Sequence, residues 1–121
     1  MMRVGVAGIA GRMGRTVAGL VAADPEMQLM GGTIRPGSSQ VADAWWPDLL
    51  TDQPEELAAA CDVIIDFSTP ESALRHAAAC VAHDCRFVSG TTGFNAGQAA
   101  ELDTHALRIP LFVAANFSLG I

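Results

Sequence analysis

Gly8-Ile9-Ala10-Gly11-Arg12-Met13-Gly14 directly follows the apolar run Val4-Gly5-Val6-Ala7. A buried strand that ends in a glycine-punctuated turn and opens a helix can set backbone N–H groups and a helix N-terminus against a pyrophosphate. Each glycine has a task in such a turn. Gly8 takes the tight bend, Gly11 has no side chain to block a diphosphate, and Gly14 lets the helix lie close on the sheet. The spacing departs from the commoner G-x-G-x-x-G, because Ala10 holds the usual middle-glycine position. The charge of Arg12 can approach the pyrophosphate, while Arg15, one turn later, faces solvent. An ordinary strand-to-helix turn is the competing reading, and the position after a strand near the N-terminus weighs against it.

Arg35 comes roughly twenty residues after the helix start, where such folds place the residue that meets the adenine ribose. An acid there would accept from the 2′-hydroxyl and select NADH, but no acid lies between Thr33 and Ser39. A guanidinium instead forms a fork with a 2′-phosphate, with Ser38 or Ser39 as added donors, so NADPH is the expected preference. A solvated turn arginine is the alternative. Gly90-Thr91-Thr92-Gly93 lets backbone and hydroxyl groups approach a planar amide such as nicotinamide; alone, it reads equally as a capped turn. Asn116 and Phe117 can supply an amide and an aromatic wall, or a plain domain-exit turn.

Other chemistry is weakly signalled. His76, Cys80 and His83 follow the i, i+4, i+7 spacing of a metal-binding helix face, but no fourth ligand is evident and a solvated face is expected. His105 is isolated and expected at the surface. Ser68, Ser89 and Ser118 lack a histidine partner motif, so no nucleophile is assigned. Asp66 is the one acid inside an apolar strand and is expected to hydrogen-bond neighbouring backbone. No catalytic residue and no metal ligand is assigned.

These groups need a frame, and strand and helix patterns alternate along the chain. Strands are predicted at Arg3 to Ala7, Met27 to Thr33, Val63 to Phe67, Arg86 to Ser89 and Pro110 to Ala114. Helices are predicted at Met13 to Ala23, Pro54 to Ala60, Glu71 to Ala82 and Ala96 to Leu107. The first would bury Met13, Val17, Leu20 and Val21, with Gly14, Ala18 and Ala22 as small neighbours; the third would bury Leu74, Ala77, Ala78 and Val81. Ser68-Thr69-Pro70-Glu71 reads as a hydroxyl-capped helix start. Gln40 to Thr51 has no clear period, and Trp45-Trp46-Pro47 is expected to pack a loop on the domain. The fold class is α/β, a doubly wound, mostly parallel sheet of the Rossmann type, with ligands beyond the carboxyl ends of the strands.

The 121 residues suit one domain, half of them are hydrophobic, and a net charge of -6 with seven arginines and no lysine argues against nonspecific nucleic-acid binding. No apolar run reaches bilayer length, so no membrane partner is expected. Cys61, Cys80 and Cys85 are odd in number without C-x-x-C spacing, which fits reduced thiols and a cytoplasmic location.

Four blocks together carry a family resemblance: the Gly8–Gly14 turn, Ile65-Asp66-Phe67-Ser68, Gly90-Thr91-Thr92-Gly93-Phe94 and Ala114-Ala115-Asn116-Phe117-Ser118. In this order they resemble the dihydrodipicolinate reductases of lysine and diaminopimelate biosynthesis. The resemblance implies hydride transfer from NADPH or NADH to a cyclic dicarboxylate small-molecule substrate. It implies that Gly8, Ile9, Ala10, Gly11, Arg12 and Met13 bind the diphosphate. Gly90, Thr91 and Thr92, with Ala114, Ala115, Asn116 and Phe117, would position the nicotinamide, and Phe67 to Thr69 would line the groove. Where the family often has an acid before the arginine of the second strand, Ile34 stands here, which agrees with the NADPH expectation. The resemblance further implies a homotetramer and a second, substrate-binding domain with paired histidines and a lysine. Residues 1–121 are thus expected to be the dinucleotide-binding domain alone, inactive without that second domain. The cofactor domain of another amino-acid-pathway dehydrogenase and a non-catalytic nucleotide-binding module remain the alternatives.

Overall fold

The computed structural model describes residues 1–35 and 49–113. Strand β1 (Met2–Ala7) leads through the glycine turn into α1 (Arg12–Ala23), followed by β2 (Met27–Thr33) and β3 (Leu49–Thr51). Helix α2 (Pro54–Ala60), β4 (Val63–Asp66), α3 (Pro70–His83), β5 (Arg86–Ser89), α4 (Ala96–Ala106) and β6 (Leu111–Val113) complete the described elements. All six strands pair in parallel in the order β3-β2-β1-β4-β5-β6. The chain winds outward from β1 in one direction and from β4 in the other. The crevice between β1 and β4 is the point of reversal, where open α/β sheets bind their ligands. The predicted doubly wound α/β class is the observed one.

Period-two alternation in β1 divides the core. Val4 and Val6 lie in clusters with Ala18 and Val21 of α1, whereas Ala7 joins Leu57, Ile64, Ala73, Ala77 and Phe87 under the other helices. The alternate position, Gly5, leaves room for α2: a Cβ there would fall 2.7 Å from Leu57. At the opposite end of the sheet, Arg3 pairs with Asp62 at 3.0 Å and fastens the start of β1 to the loop before β4. The mutual hydrogen bonds raise the guanidinium's pKa and hold the Asp62 carboxyl below its usual range.

The faces of two helices differ from the periodicity expectation. In α1 the buried residues are Gly14, Ala18 and Val21. Met13 and Leu20 are 50% and 68% exposed, and Ala22 is also exposed. The helix approaches the sheet so closely that small residues make the contact and the long ones are pushed to its flanks. In α3 the buried residues are Ala73, His76, Ala77, Ala79 and Cys80; Ala78 is exposed, and Leu74 and Val81 are half-buried. This helix packs against α2, α4 and the sheet together, so its apolar arc is not one stripe. The expected solvated face of His76, Cys80 and His83 is therefore corrected: the first two are buried and only His83 is exposed. Among the described residues no group of three His, Cys, Asp or Glu is placed to hold a metal. No described helix is long and apolar enough to cross a membrane.

Strand β3 lies within the stretch for which no period was expected. Three residues are too few to show alternation, and only pairing with Gly31–Thr33 of β2 defines it. His105, expected at the surface, is half-buried, with Nε2 3.8 Å from the Glu101 carboxylate. The Trp45-Trp46-Pro47 segment lies outside the described residues.

Two glycines of α1 should respond oppositely to alanine. A Cβ on Gly14 would fall 2.0 Å from the backbone oxygen of Gly8, so Gly14→Ala forces backbone apart. It should cost about 1–3 kcal/mol in urea unfolding. Gly19 has nothing within 4 Å of a built Cβ, and Gly19→Ala should stabilise by up to about 1 kcal/mol through helix propensity.

Candidate functional site

Beyond the carboxyl ends of β1, β2 and β4 lies a cleft of about 790 Å³. Gly8, Ala10 and Gly11 line it after β1, Thr33, Ile34 and Arg35 after β2, and Asp52 after β3. Phe67, Ser68 and Thr69 follow β4, and Ser72, Arg75 and His76 come from α3.

Gly8 has φ +75°, in the left-handed region, and a Cβ there would lie 2.4 Å from the Phe67 carbonyl oxygen. Both the turn and the contact with the β4 loop require glycine. The Gly8 carbonyl accepts the Gly11 N–H at 3.0 Å and closes the turn. Gly11 is different. It is exposed, its φ of −73° suits any residue, and the nearest atom to a built Cβ is the Gly8 oxygen at an ordinary 3.4 Å. Nothing in the protein demands glycine there.

The start of α1 is left bare. Gly11 makes no side-chain cap and the first turn has no acid. The other described helices are better satisfied: α2 carries Glu55 and Glu56 in its first turn, α3 has the Thr69 cap with Glu71, and α4 has an Asn95–Gln98 capping box. The positive end of α1 borders the cleft at Gly11, an arrangement suited to an anion.

Phe67 forms a wall of the cleft and rests on Gly90, where a Cβ would fall 2.2 Å from the ring. Behind it, Asp66 is fully buried and accepts from three hydroxyls: Ser68, Ser89 at 2.7 Å and Thr91 at 2.7 Å. The expectation that it bonds neighbouring backbone is corrected, because the β4–β5 register sets Asp66 beside Ser89 and brings side-chain hydroxyls to the carboxylate. Thr91 also accepts the Ser68 N–H at 2.9 Å, so its hydroxyl is already engaged within the protein. Thr92 is exposed.

The predicted site residues divide accordingly. Gly8, Ala10, Gly11, Arg35 and Phe67 meet in the cleft. The Ile9 side chain is in the core, while Arg12 and Met13 are exposed on the first turn of α1. Gly90 lies against the Phe67 ring and Thr91 against Ser68, both next to the cleft lining, and neither they nor Thr92 line it. Ala114, Ala115, Asn116, Phe117, Ser38 and Ser39 lie outside the described residues. Three cleft residues, Asp52, Ser72 and Arg75, carry no motif signal, and a fourth, His76, is marked in the sequence only by metal-ligand spacing. Only the β2–β3 pairing and the rotation of α3 bring them in; the cap Ser68-Thr69-Pro70 hinted at the nearby Ser72. Two guanidiniums, Arg35 and Arg75, outnumber the Asp52 carboxylate in the lining, against the chain's net charge of -6.

The thiols offer no nucleophile to the cleft. All three are buried and none lines the cleft; burial pushes Cys61 up to about 12, while the hydrogen bond between Cys80 and Cys85 pushes Cys80 up and Cys85 down.

A family model described as dihydrodipicolinate reductase, N-terminus, matches residues 2–117. A 4-hydroxy-tetrahydrodipicolinate reductase of Chromohalobacter salexigens is 41% identical over 133 residues, covering 100% of this chain and 48% of that protein. The one from Burkholderia ambifaria is 42% identical over 127 residues, covering 99% and 48%. The chain thus spans about half the length of the curated relatives it matches. Among solved structures, a dipicolinate-bound dihydrodipicolinate reductase from Paenisporosarcina sp. TG-14 superposes with a TM-score of 0.72 at 26% identity, over 88% of this chain and 43% of that one. A probable dehydrogenase from Thermotoga maritima shares the fold, with a TM-score of 0.76 at 16% identity over 96% of this chain and 37% of that one.

Removing the Asp66 carboxylate strands three hydroxyls at the β4–β5 edge. Asp66→Ala should lower stability by about 3 kcal/mol or more, measured as a shift in the urea midpoint, since buried polar groups would lose a charged acceptor. Ser89→Ala, which removes one donor of the three, should cost about 1 kcal/mol in the same assay.

Proposed function

Because the chain belongs to the family of the dihydrodipicolinate reductase N-terminus, we propose that its cleft binds a nicotinamide dinucleotide with the pyrophosphate at the Gly8–Met13 turn. The space beside Gly11 carries this reading. The surrounding protein tolerates a Cβ there, yet the residue is glycine and borders the bare start of α1. A group that must approach the backbone from the cleft accounts for both.

The dinucleotide, when bound, supplies hydride. The protein's own part is to grip and orient it. Backbone N–H groups of Ala10, Arg12 and Met13 meet the pyrophosphate, the Gly11 N–H being held by the Gly8 carbonyl, and the Phe67 ring bounds the cleft toward the nicotinamide end. Gly90, Thr91 and Thr92, with Ala114, Ala115, Asn116 and Phe117, position the nicotinamide. With the Thr91 hydroxyl committed to Asp66 and its N–H to Ser89 Oγ at 3.1 Å, that residue contributes through its backbone carbonyl. The reaction served is reduction of a cyclic dicarboxylate, carried out by the longer protein of which this chain matches about half.

NADPH is the preferred form in this proposal. Arg35 lies at the end of β2 and Arg75 on α3, both lining the cleft, and two guanidiniums suit a 2′-phosphate. Asp52 opposes them: a carboxylate accepts well from a ribose 2′-hydroxyl and repels a phosphate, which supports continued use of NADH.

Titration of the chain with NADPH and NADH, followed by nicotinamide fluorescence, tests the assignment. Arg35→Ala should weaken NADPH about ten- to a hundredfold, the worth of a charge-assisted hydrogen bond, and NADH less than about threefold. Equal loss for both cofactors would remove the phosphate role. Gly11→Ala should leave thermal stability nearly unchanged yet weaken both dinucleotides about tenfold or more; unaltered binding would detach the turn from the pyrophosphate.

A further inference from the structure

His76 is 2% exposed, yet it borders the cleft and is tied to the glycine turn by a directed series of hydrogen bonds. Its Nδ1 lies 2.7 Å from the Ser72 carbonyl oxygen. A carbonyl only accepts, so Nδ1 carries the hydrogen and the neutral ring presents a bare Nε2. Nε2 lies 2.8 Å from Thr33 Oγ1, so the Thr33 hydroxyl donates to the ring. With its hydrogen so committed, Oγ1 turns its lone pairs elsewhere, and one accepts the Gly8 N–H at 3.4 Å. The Thr33 carbonyl accepts the Ile9 N–H at 3.1 Å. The first two residues of the turn are therefore held by Thr33, whose hydroxyl direction is set by a histidine 43 positions later.

We propose that His76 is a positioning residue for the phosphate-binding turn: through the Thr33 hydroxyl its neutral ring anchors Gly8 and so aims the following N–H groups at the dinucleotide's pyrophosphate. The inference rests on the dinucleotide reading of the cleft. It also explains why a histidine of α3 and a threonine of β2 are buried against each other.

The charge state of the ring decides whether the device works. A proton on Nε2 would make the ring a donor to Oγ1. The hydroxyl hydrogen must then leave the ring, Oγ1 spends one of its two lone pairs on the ring N–H, and the hydroxyl loses the buried acceptor that fixes its direction beside Gly8. Burial disfavours the imidazolium and lowers the pKa below the ordinary histidine range. The hydrogen bond to the Ser72 carbonyl, Asp66 from β4 and Glu55 from α2 oppose this shift, while Arg75, next to the ring on α3, acts in the same sense as burial. Binding that requires the neutral ring is present above the folded-state pKa and is lost as pH falls through it.

The test is calorimetric or fluorescence titration of the whole 121-residue chain with NADH from about pH 5 to about pH 8, where histidine titrates. NADH is used because a 2′-phosphate itself titrates near pH 6. Wild-type affinity should fall on the acid side. Thr33→Val, close in shape but without the hydroxyl, should weaken NADH about five- to tenfold at neutral pH, the value of one or two neutral hydrogen bonds. It should also flatten the acid limb. Thr33→Ser should behave as wild type. His76→Gln, whose amide oxygen can accept from Thr33, should stay within about threefold of wild type at neutral pH while losing the acid limb. A pH-independent wild type, an acid limb that survives in both Thr33→Val and His76→Gln, or Thr33→Ser as impaired as Thr33→Val would overturn the positioning role. If His76→Gln does not fold, the Thr33 pair decides alone. Wild-type chain that binds no NADH at any pH overturns the dinucleotide reading itself, and the positioning role with it.

Discussion

The rest of the structure depends on how closely backbone meets backbone at the end of β1. The Gly8 carbonyl sits where a side chain on Gly14 would be, and the Phe67 carbonyl sits where a side chain on Gly8 would be. These two approaches bring α1 and the β4 loop against the same turn. The start of α1 thereby opens into the crevice between the two halves of the sheet, and the exclusion of larger side chains at α1 forces Met13 and Leu20 outward. Separating either contact by the width of a methyl group would move the helix dipole away from the cleft it faces.

Around that turn the polar groups are arranged in two buried sets with different jobs. Asp66 gathers the hydroxyls of Ser68, Ser89 and Thr91 and ties the ends of β4 and β5 into one edge, which in turn seats Phe67 over Gly90. Thr33 and His76 join β2 to α3 and end on Gly8. The first set is fully hydrogen-bonded and reaches the cleft only at Ser68; the second borders the cleft and contains a titratable ring. Buried polar groups in a small parallel domain cost stability unless paired. Here the pairing also gives the loops a definite geometry.

The cleft combines a bare helix start, a glycine that the protein itself does not require, and two arginines converging from separate elements on a domain of net negative charge. Each feature alone is common. Together they support the proposed phosphorylated, extended ligand. In the proposed binding mode the opposing Asp52 would keep recognition of the ribose from being decided by the arginines alone.

What could be read from the residues by themselves was local: strand alternation, the glycine turn, the Thr69-Pro70 helix start and the order of elements. Each arises from interactions between residues a few positions apart, which spacing records directly. The family resemblance came from four such local blocks. The three-residue β3 was not legible, because its identity as a strand lies in its partner β2 rather than in its own pattern. Nor was the rotation of α3, since a helix covered on several sides has no single apolar stripe to announce which face is inward. Asp52, Arg75 and His76 reached the cleft, and Asp66 exchanged backbone for hydroxyl partners, only through strand order and helix packing. Those are set by long-range contacts between separate segments, and the burial that orients a side chain exists only once the segments have met.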